Sequence, residues 1–218
     1  MRPWFFVGLD LGQSRDYTAV AVLERSEAAG AFDPAVFAYR KEVNLRLRYL
    51  ERVPLGTPYP EVVERVGRVV RSAELAGRCH LIVDATGVGR PVVDLLRRAR
   101  LNCNLIPVLI TGGDLESQER GYYRTPKRDL ISGLRLLLEM DSLQIATRLE
   151  HGPTLTSELA EMRVRMTGAG NEQFGVWREG AHDDLVLAVA LACWGARKVY
   201  PAMPGGAAAY CTFPGVRF

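Results

Sequence analysis

The first part of the chain shows three strand-like segments before any helical pattern begins. Apolar and alternating residues fill 3–12, 18–25 and 35–43, and short polar gaps separate them. This pattern is typical of β-strands joined by tight turns. We therefore expect an antiparallel meander at the start of the fold.

From position 59 onward the pattern changes to alternating helices and strands. Helices are predicted at 59–77, 90–99, 127–140, 154–166 with a cap at Thr154, and from Asp183 to about Lys198. Strands are predicted at 79–87, 104–110, 142–146 and within 170–181, and a surface loop at 111–126. Such alternation is typical of parallel α/β structure. We expect one domain at 1–199, a mixed central sheet with helices on both faces, and a loosely ordered tail at 200–218.

Composition and charge favour a folded globular protein without deciding its partner. The 218 residues are 48% hydrophobic and 24% charged, which is far from the profile of a disordered chain. Lys occurs only at positions 41, 127 and 198, so nearly all of the 28 basic residues are Arg. Arg binds phosphate in a bidentate way. A genome rich in G and C would also produce this excess, so it supports a nucleic-acid partner only weakly.

Four cysteines, at 79, 103, 193 and 211, are scattered without the spacing of a zinc site. Buried free thiols are the simplest interpretation. The sequence shows neither a signal peptide nor a run of 18 apolar residues. We expect a soluble protein of a reducing compartment, with no membrane partner.

Acidic residues stand at three places where charge is costly. Asp10 and Asp84 each end an apolar strand and are followed within three residues by glycine, and the pair Asp183 and Asp184 precedes an almost wholly apolar helix. An ionised carboxylate at such a position needs a partner or a cation. Each acid alone could instead cap a helix or close a turn. Together they offer the oxygen ligands that hard divalent cations prefer.

Three segments that contain these acids carry a family resemblance. "VGLDLGQSRDYTAVAVL", "LIVDATGVGRPVVDLL" and "GAHDDLVLAVALACW", in this order, resemble the nuclease domain of the large subunit of tailed-phage DNA-packaging terminases. The resemblance extends over about residues 4–198. It implies an RNase H-like fold of the RuvC type and a metal-dependent DNA endonuclease that cuts concatemeric phage DNA during packaging.

The resemblance also implies a site with two Mg²⁺ or Mn²⁺ ions. Asp10 would bridge both ions, Asp84 would hold one, and Asp183 or Asp184 the other. Consecutive helical residues point about 100° apart, so one acid of the pair should face the metal while the other caps the helix. His182 is a further catalytic candidate that could orient a water or contact the scissile phosphate, or could be an ordinary hydrogen-bonding residue.

Double-stranded DNA is the implied substrate, bound through its backbone. Candidate contacts are Arg90, Arg120, Arg124, Lys127 and Arg128, although the basic stretch could equally be a solvated loop. The chain lacks a G-x-x-x-x-G-K-[ST] phosphate loop. Its expected partners are therefore a separate packaging ATPase, the terminase small subunit and the portal, in the cytoplasm of a bacterial host.

Three other functions fit parts of the pattern. The ATPases related to actin, sugar kinases and heat-shock chaperones share the core and have motifs similar to "GLDLGQS" and "VDATGVG", but they use two such lobes. A RuvC-type resolvase shares the placement of the acids and normally acts as a dimer. A degenerate relative that only binds DNA would not need every carboxylate.

Overall fold

The computed structural model describes residues 2–12, 16–87, 89–166, 172–175 and 182–199. The strands are β1 (Trp4–Asp10), β2 (Thr18–Asp33), β3 (Ala38–Val53), β4 (Cys79–Asp84), β5 (Asn104–Thr111), β6 (Ser117–Glu119), β7 (Tyr122–Pro126), β8 (Leu143–Ile145), β9 (Arg163–Met166) and β10 (Glu172–Gly175). The helices are α1 (Tyr59–Val70), α2 (Gly89–Arg98), α3 (Lys127–Glu139), α4 (Gly152–Glu161) and α5 (Asp184–Lys198).

Eight of these strands form a mixed sheet in the order β6-β7-β5-β4-β1-β2-β3-β8. The first three strands pair antiparallel, so the expected meander is confirmed. On the other side, β1, β4, β5 and β7 run parallel to one another. β9 and β10 pair separately as a short antiparallel ribbon. The mixed sheet is thus confirmed, and β1 lies at its centre.

Helices cover both faces of the sheet, as predicted. Side chains alternate along each strand, so Phe5, Val7 and Leu9 of β1 pack into the apolar cluster under α1 and α2. Phe6 points the other way, into the larger cluster formed with α3, α4 and α5. By the same alternation, Asp10 lies on the α5 face.

Two glycines bring α5 unusually close to the sheet. A Cβ atom at Gly8 would lie 1.9 Å from the carbonyl oxygen of Ala188, and one at Gly195 would lie 2.6 Å from Cδ1 of Ile82. At Gly8 the obstacle is backbone, so no larger side chain fits there, and at Gly195 the side chain of Ile82 would have to shift. The helix is buried from Asp184 to Ala196, which explains why its sequence is almost wholly apolar.

Several predicted boundaries were wrong. β2 and β3 extend well past the predicted segments, because they form a long hairpin that pairs as far as Asp33 with Ala38. α1 ends at Val70 rather than at Gly77. The predicted helix 154–166 instead runs from Gly152 to Glu161, and His151 rather than Thr154 occupies its N-cap position.

The predicted surface loop at 111–126 was also wrong, because it contains β6 and β7. Arg120 and Gly121 both have positive φ, 50° and 81°, and they connect Glu119 to its partner Tyr122. Two such residues form the type I′ turn of a two-residue hairpin. β7 then pairs in parallel with β5, which buries Thr125.

Some predictions fall outside the described residues. They include the tail 200–218 and most of the segment 170–181, of which the structure describes Glu172–Gly175 as β10. None of the helices in the described ranges combines the length and apolarity needed to cross a membrane.

Candidate metal centre

Asp10 and Asp84 lie side by side at the carboxyl ends of two parallel strands. The register pairs Gly8 with Ile82 and Leu9 with Val83, so the next residues of both strands are these two acids. Both belong to the α5 face, and they are close enough for each to shift the pKa of the other. Asp84 also accepts a hydrogen bond from the backbone N–H of Thr86 at 2.8 Å, which fixes its orientation at the strand end.

The start of α5 brings a second pair of acids to the same edge of the sheet. Asp184 begins the helix and is buried, whereas Asp183 occupies the N-cap position and is partly exposed. The close packing of α5 at Gly8 places this helix directly over β1. The charges of Asp183, Asp184 and Asp84 all act on Asp10, which shows that the four carboxylates form one cluster.

Neither acid of this pair caps α5 as predicted. The side chain of Asp183 makes no capping hydrogen bond. Glu158 of α4 supplies the cap instead, because its Oε2 accepts a hydrogen bond from the backbone N–H of Val186 at 3.1 Å. The first turn of α5 is therefore held from a neighbouring helix, which leaves both aspartates available for other partners.

Within the described part of the chain, two cations face the cluster. Lys127, at the start of α3, places its Nζ 2.7 Å from Oδ2 of Asp183. Arg52, at the end of β3, forms an ion pair with Glu158 and lies 3.5 Å from Oδ2 of Asp184. Its guanidinium also stacks on the ring of Tyr17 at 4.5 Å. Lys127 was predicted as a DNA contact, and here it lies among the acids.

The electrostatics of the cluster oppose full ionisation. Burial raises the pKa of Asp10 well above its usual range, and the charges of Asp84 and Asp184 raise it further. Burial likewise raises the pKa of Asp84 and raises the pKa of Asp184 to about 6, although Arg52 opposes the shift at Asp184. The pKa of Glu158 rises to about 7 for the same reason. Among the described residues, the positive charge beside these acids does not offset their burial.

Asp16 lies beside the acidic cluster, and the sequence pattern did not predict it there. One ligand atom from each of Asp16, His182 and Asp184 lies within 4.8 Å of the others. The ring of His182 packs edge-on against Tyr17 at 5.0 Å, and its Nδ1 lies 3.8 Å from Oδ2 of Asp184. Asp16 stands in a polar gap between two strands, where an acid is ordinary, so no local signal distinguished it.

The other predicted DNA contacts lie around this edge rather than in the cluster. Arg90 lies in the first turn of α2 and stacks on Tyr122, and Arg120 and Arg124 are exposed on the β6–β7 hairpin. Arg128 pairs with Asp114 and Asp129. Their role in binding DNA stays a prediction.

The donor set fits a hard divalent cation. It consists of carboxylate oxygens and one imidazole, which suit Mg²⁺ or Mn²⁺. Within the described residues, Oδ2 of Asp184 is buried without a hydrogen bond. Asp10, Asp84, Asp183 and Asp184 also outnumber the cations beside them, Lys127 and Arg52. A bound cation would satisfy both the free oxygen and the excess negative charge.

Comparisons with solved structures identify the fold. No protein-family model and no curated protein sequence matches the chain. Among solved structures, it is similar to the large terminase nuclease of thermophilic phage G20c with bound magnesium, at 24% identity and a TM-score of 0.60, over 88% of this chain and 81% of that one. The chain has the fold of large-terminase nuclease domains.

Two more distant structures share this terminase nuclease fold. The manganese-soaked terminase nuclease domain of human cytomegalovirus is 14% identical over 88% of this chain and 84% of that one, with a TM-score of 0.52. A variant nuclease domain of the large terminase subunit gp2 of bacterial virus Sf6, with manganese and beta-thujaplicinol, is 12% identical over 87% of each chain, with a TM-score of 0.60. The expected RNase H-like architecture is thus confirmed.

Proposed function

We propose that this chain is a divalent-metal-dependent DNA endonuclease that serves as the nuclease domain of a terminase large subunit. One observation carries the proposal. Asp10 and Asp84 stand next to each other on parallel strand ends, and α5 brings Asp183 and Asp184 to them. Solved nuclease domains of the same fold, including that of phage G20c with magnesium, support the choice of chemistry.

The acids of the cluster would hold two Mg²⁺ or Mn²⁺ ions. Asp10, at the centre, would contact both, Asp84 would hold one, and Asp183 or Asp184 the other. Asp16 would add a further ligand on the side of Asp184, and His182 would do the same where it does not contact the water or the phosphate. Such a pair of ions, when bound, supplies an activated water and stabilises the leaving 3′ oxygen of a phosphodiester.

The remaining residues of the site would position the substrate. When cations occupy the cluster, the side chain of Lys127 would exchange its ion pair with Asp183 for one with a DNA phosphate. Its partial exposure makes this exchange possible. His182 lies beside Asp184, where it can orient a water or contact the scissile phosphate. Arg90, Arg120, Arg124 and Arg128 surround the edge and would contact the DNA backbone without reading its sequence.

Activity in packaging would need other proteins. We propose that a separate packaging ATPase, the terminase small subunit and the portal bring concatemeric DNA to this domain in the host cytoplasm. Alone, the domain should cut duplex DNA weakly, because its net charge of +3 gives little binding that resists salt.

The decisive experiment is nicking of supercoiled plasmid at low salt, compared between the wild type and Asp84→Asn. The amide can still accept the hydrogen bond from Thr86, so the variant should fold while losing a charged ligand. We expect cutting by the wild type with Mn²⁺ or Mg²⁺, none with EDTA, no effect of ATP, and cutting reduced to background in Asp84→Asn and Asp184→Ala.

Asp94→Asn is the matched control. Asp94 is an exposed acid on α2 that pairs only with Arg97 among the described residues, so this variant should cut at the wild-type rate. Equal cutting by all variants would refute the metal-site assignment. Consumption of ATP without nicking would indicate the actin-like alternative, cutting confined to four-way junctions a resolvase, and DNA binding without cutting a degenerate relative.

A further inference from the structure

Two cysteines lie next to each other at the amino ends of β4 and β5, at the opposite edge of the sheet from Asp10. The parallel register pairs His80 with Asn104, so the preceding residues Cys79 and Cys103 are neighbours as well. Adjacent strands are about 4.8 Å apart. Disulfides join Cα atoms at about 4.4 to 6.8 Å, so the backbones already stand at the right separation.

The two thiols also face the same side of the sheet. Cys79 is part of the apolar cluster under α1 and α2, and Cys103 packs against that cluster. The two thiols are close enough to shift each other's pKa, and the Cys79 thiol donates a hydrogen bond to the backbone carbonyl of Val70 at 3.9 Å. Both cysteines are reduced in the structure, and their positions on neighbouring strand ends meet the backbone requirement for a disulfide.

Their surroundings give the two thiols different chemistry. Cys103 is partly exposed, whereas Cys79 is buried, and both line a cavity of about 330 Å³ that also contacts Trp4 and Gly77. Interaction with the neighbouring Cys79 thiol, together with the positive charge of Arg71, lowers the pKa of the Cys103 thiol. Cys79 is buried, and its pKa is raised. Reactive thiols are partly exposed and lie near positive charge, which describes Cys103 and not Cys79.

We propose that Cys79 and Cys103 form a redox modification site that closes into a reversible disulfide by exchange with a low-molecular-weight disulfide. The Cys103 thiolate attacks one sulfur of the small disulfide, whose S–S bond breaks and releases one thiol. Cys79 then gives its proton to solvent and attacks the sulfur of Cys103, which releases the second thiol. The two cysteines lose two electrons in total, and the small disulfide gains them.

This site is independent of the proposed nuclease chemistry. Cys79 and Asp84 stand at opposite ends of β4. A bond between Cys79 and Cys103 would close a loop that contains α2 and the turn after Asp84, and such a loop restricts the unfolded chain. Oxidation should therefore raise the thermal midpoint, and reduction should restore it.

The test uses the full chain with Cys211→Ser, which removes the cysteine in the segment after α5. The protein is incubated with oxidised glutathione in EDTA, then analysed by intact mass and by peptide mapping without reduction. We expect loss of two hydrogens, a cross-linked pair of peptides that contain Cys79 and Cys103, a higher thermal midpoint, and reversal by dithiothreitol. Buried Cys193 is the internal control and should stay free.

Two variants separate the steps. Cys79→Ala should stop at one glutathione adduct on Cys103, because the second thiol is missing. Arg71→Gln should slow the first step severalfold at neutral pH while reaching the same final disulfide. The proposal is overturned if the parent protein keeps all thiols free, stops at a stable adduct on Cys103, or modifies Cys193 as fast as Cys103. Since Arg71→Gln keeps both cysteines, a folding failure of Cys79→Ala would not remove the test.

Discussion

The two ends of β4 hold ionisable side chains in different surroundings. At its carboxyl end Asp84 lies in a cluster of acids, whereas at its amino end His80 packs against the rings of Trp4 and Phe6. Burial raises the pKa of Asp84 and lowers the pKa of His80, so both ends favour an uncharged side chain. His80 is already neutral near pH 7 and has Asn104 as a partner. In the described ranges, the acids of the cluster outnumber the cations beside them, and their raised pKa values mean that ionising all of them needs additional positive charge.

The two ends therefore differ in what an added cation can do. At the acidic end a divalent ion would remove repulsion among four carboxylates. At the imidazole end, stacked rings and an amide leave no excess charge for an ion to neutralise. We expect substitutions of the clustered acids to alter stability strongly and in a metal-dependent way, and substitution of His80 to alter it weakly and only with pH.

The largest effect is expected from Arg52→Met. This change leaves the buried carboxylates of Glu158 and Asp184 without their ion pair, and breaking a buried pair by removing one partner costs about 3 kcal/mol or more. Urea denaturation at pH 7 in EDTA measures the free energy of unfolding. Arg135→Met is the matched control, because its pair with Glu139 is exposed and should contribute less than about 1 kcal/mol. Equal losses of unfolding free energy in both variants would contradict a stabilising role for the buried ion pair of Arg52.

Asp10→Asn should change the response to metal. At a concentration 100 times the dissociation constant, an ion that binds only the folded state raises the free energy of unfolding by about 2.7 kcal/mol. We expect Mn²⁺ to do this for the wild type and Asp10→Asn to lose most of the gain. In EDTA the variant should be more stable than the wild type, because the amide carries no charge to repel its neighbours. Thermal melts with and without Mn²⁺ measure both effects, and Asp94→Asn should keep the full shift.

The smallest effect is expected from His80→Phe, and it appears only with pH. The pKa of His80 is lower in the folded state, so below about 6.5 the unfolded chain takes up a proton that the folded protein refuses. Stability should fall as pH drops from about 6.5 toward 5, by less than about 1 kcal/mol, and His80→Phe should flatten this slope. Urea midpoints at several pH values in EDTA measure it.

The acidic end should show the opposite slope in the same titration. Glu158 has its pKa raised from 4.5 to about 7, so the folded protein keeps a proton that the unfolded chain has released. Stability from this group is present below pH 4.5 and is lost as pH rises toward 7. Glu158→Gln should flatten that part of the curve and leave the His80 slope intact. A single slope abolished by both variants would mean that the two ends are not independent.

The part of the site that depends on local pattern was predictable from the sequence. Alternation along β1 and β4 sets which side chains share a face, and parallel pairing brings the ends of both strands together. Asp10 and Asp84 follow from these two rules. The confirmed meander and the alternating helices follow from periodicity in the same way, because each element carries its own signal.

The supporting residues were not predictable, because their partners are distant in the chain. Glu158 is one acid on an ordinary helix, and it caps a helix whose Val186 comes 28 residues later. Arg52 ends a strand without any local mark of its pairing with Glu158. β7 was missed for two reasons. A segment that resembles a loop separates it from its partner β5. The turn between β6 and β7 also uses Arg120 at a position where Asn or Gly is usual.

The contact at Gly8 couples the packing of α5 on the sheet to the spacing of the acids, two properties that most proteins can adjust separately. No side chain stands between this residue and Ala188, so backbone atoms alone set the spacing between the strand that carries Asp10 and the helix that begins with Asp184. Cores usually absorb small errors by changing rotamers, and here no rotamer is available. In a library selected only for folding, position 8 should stay glycine, and the spacing of the acids would be preserved as a by-product. Selection for stability would thus protect the site before any selection for its activity.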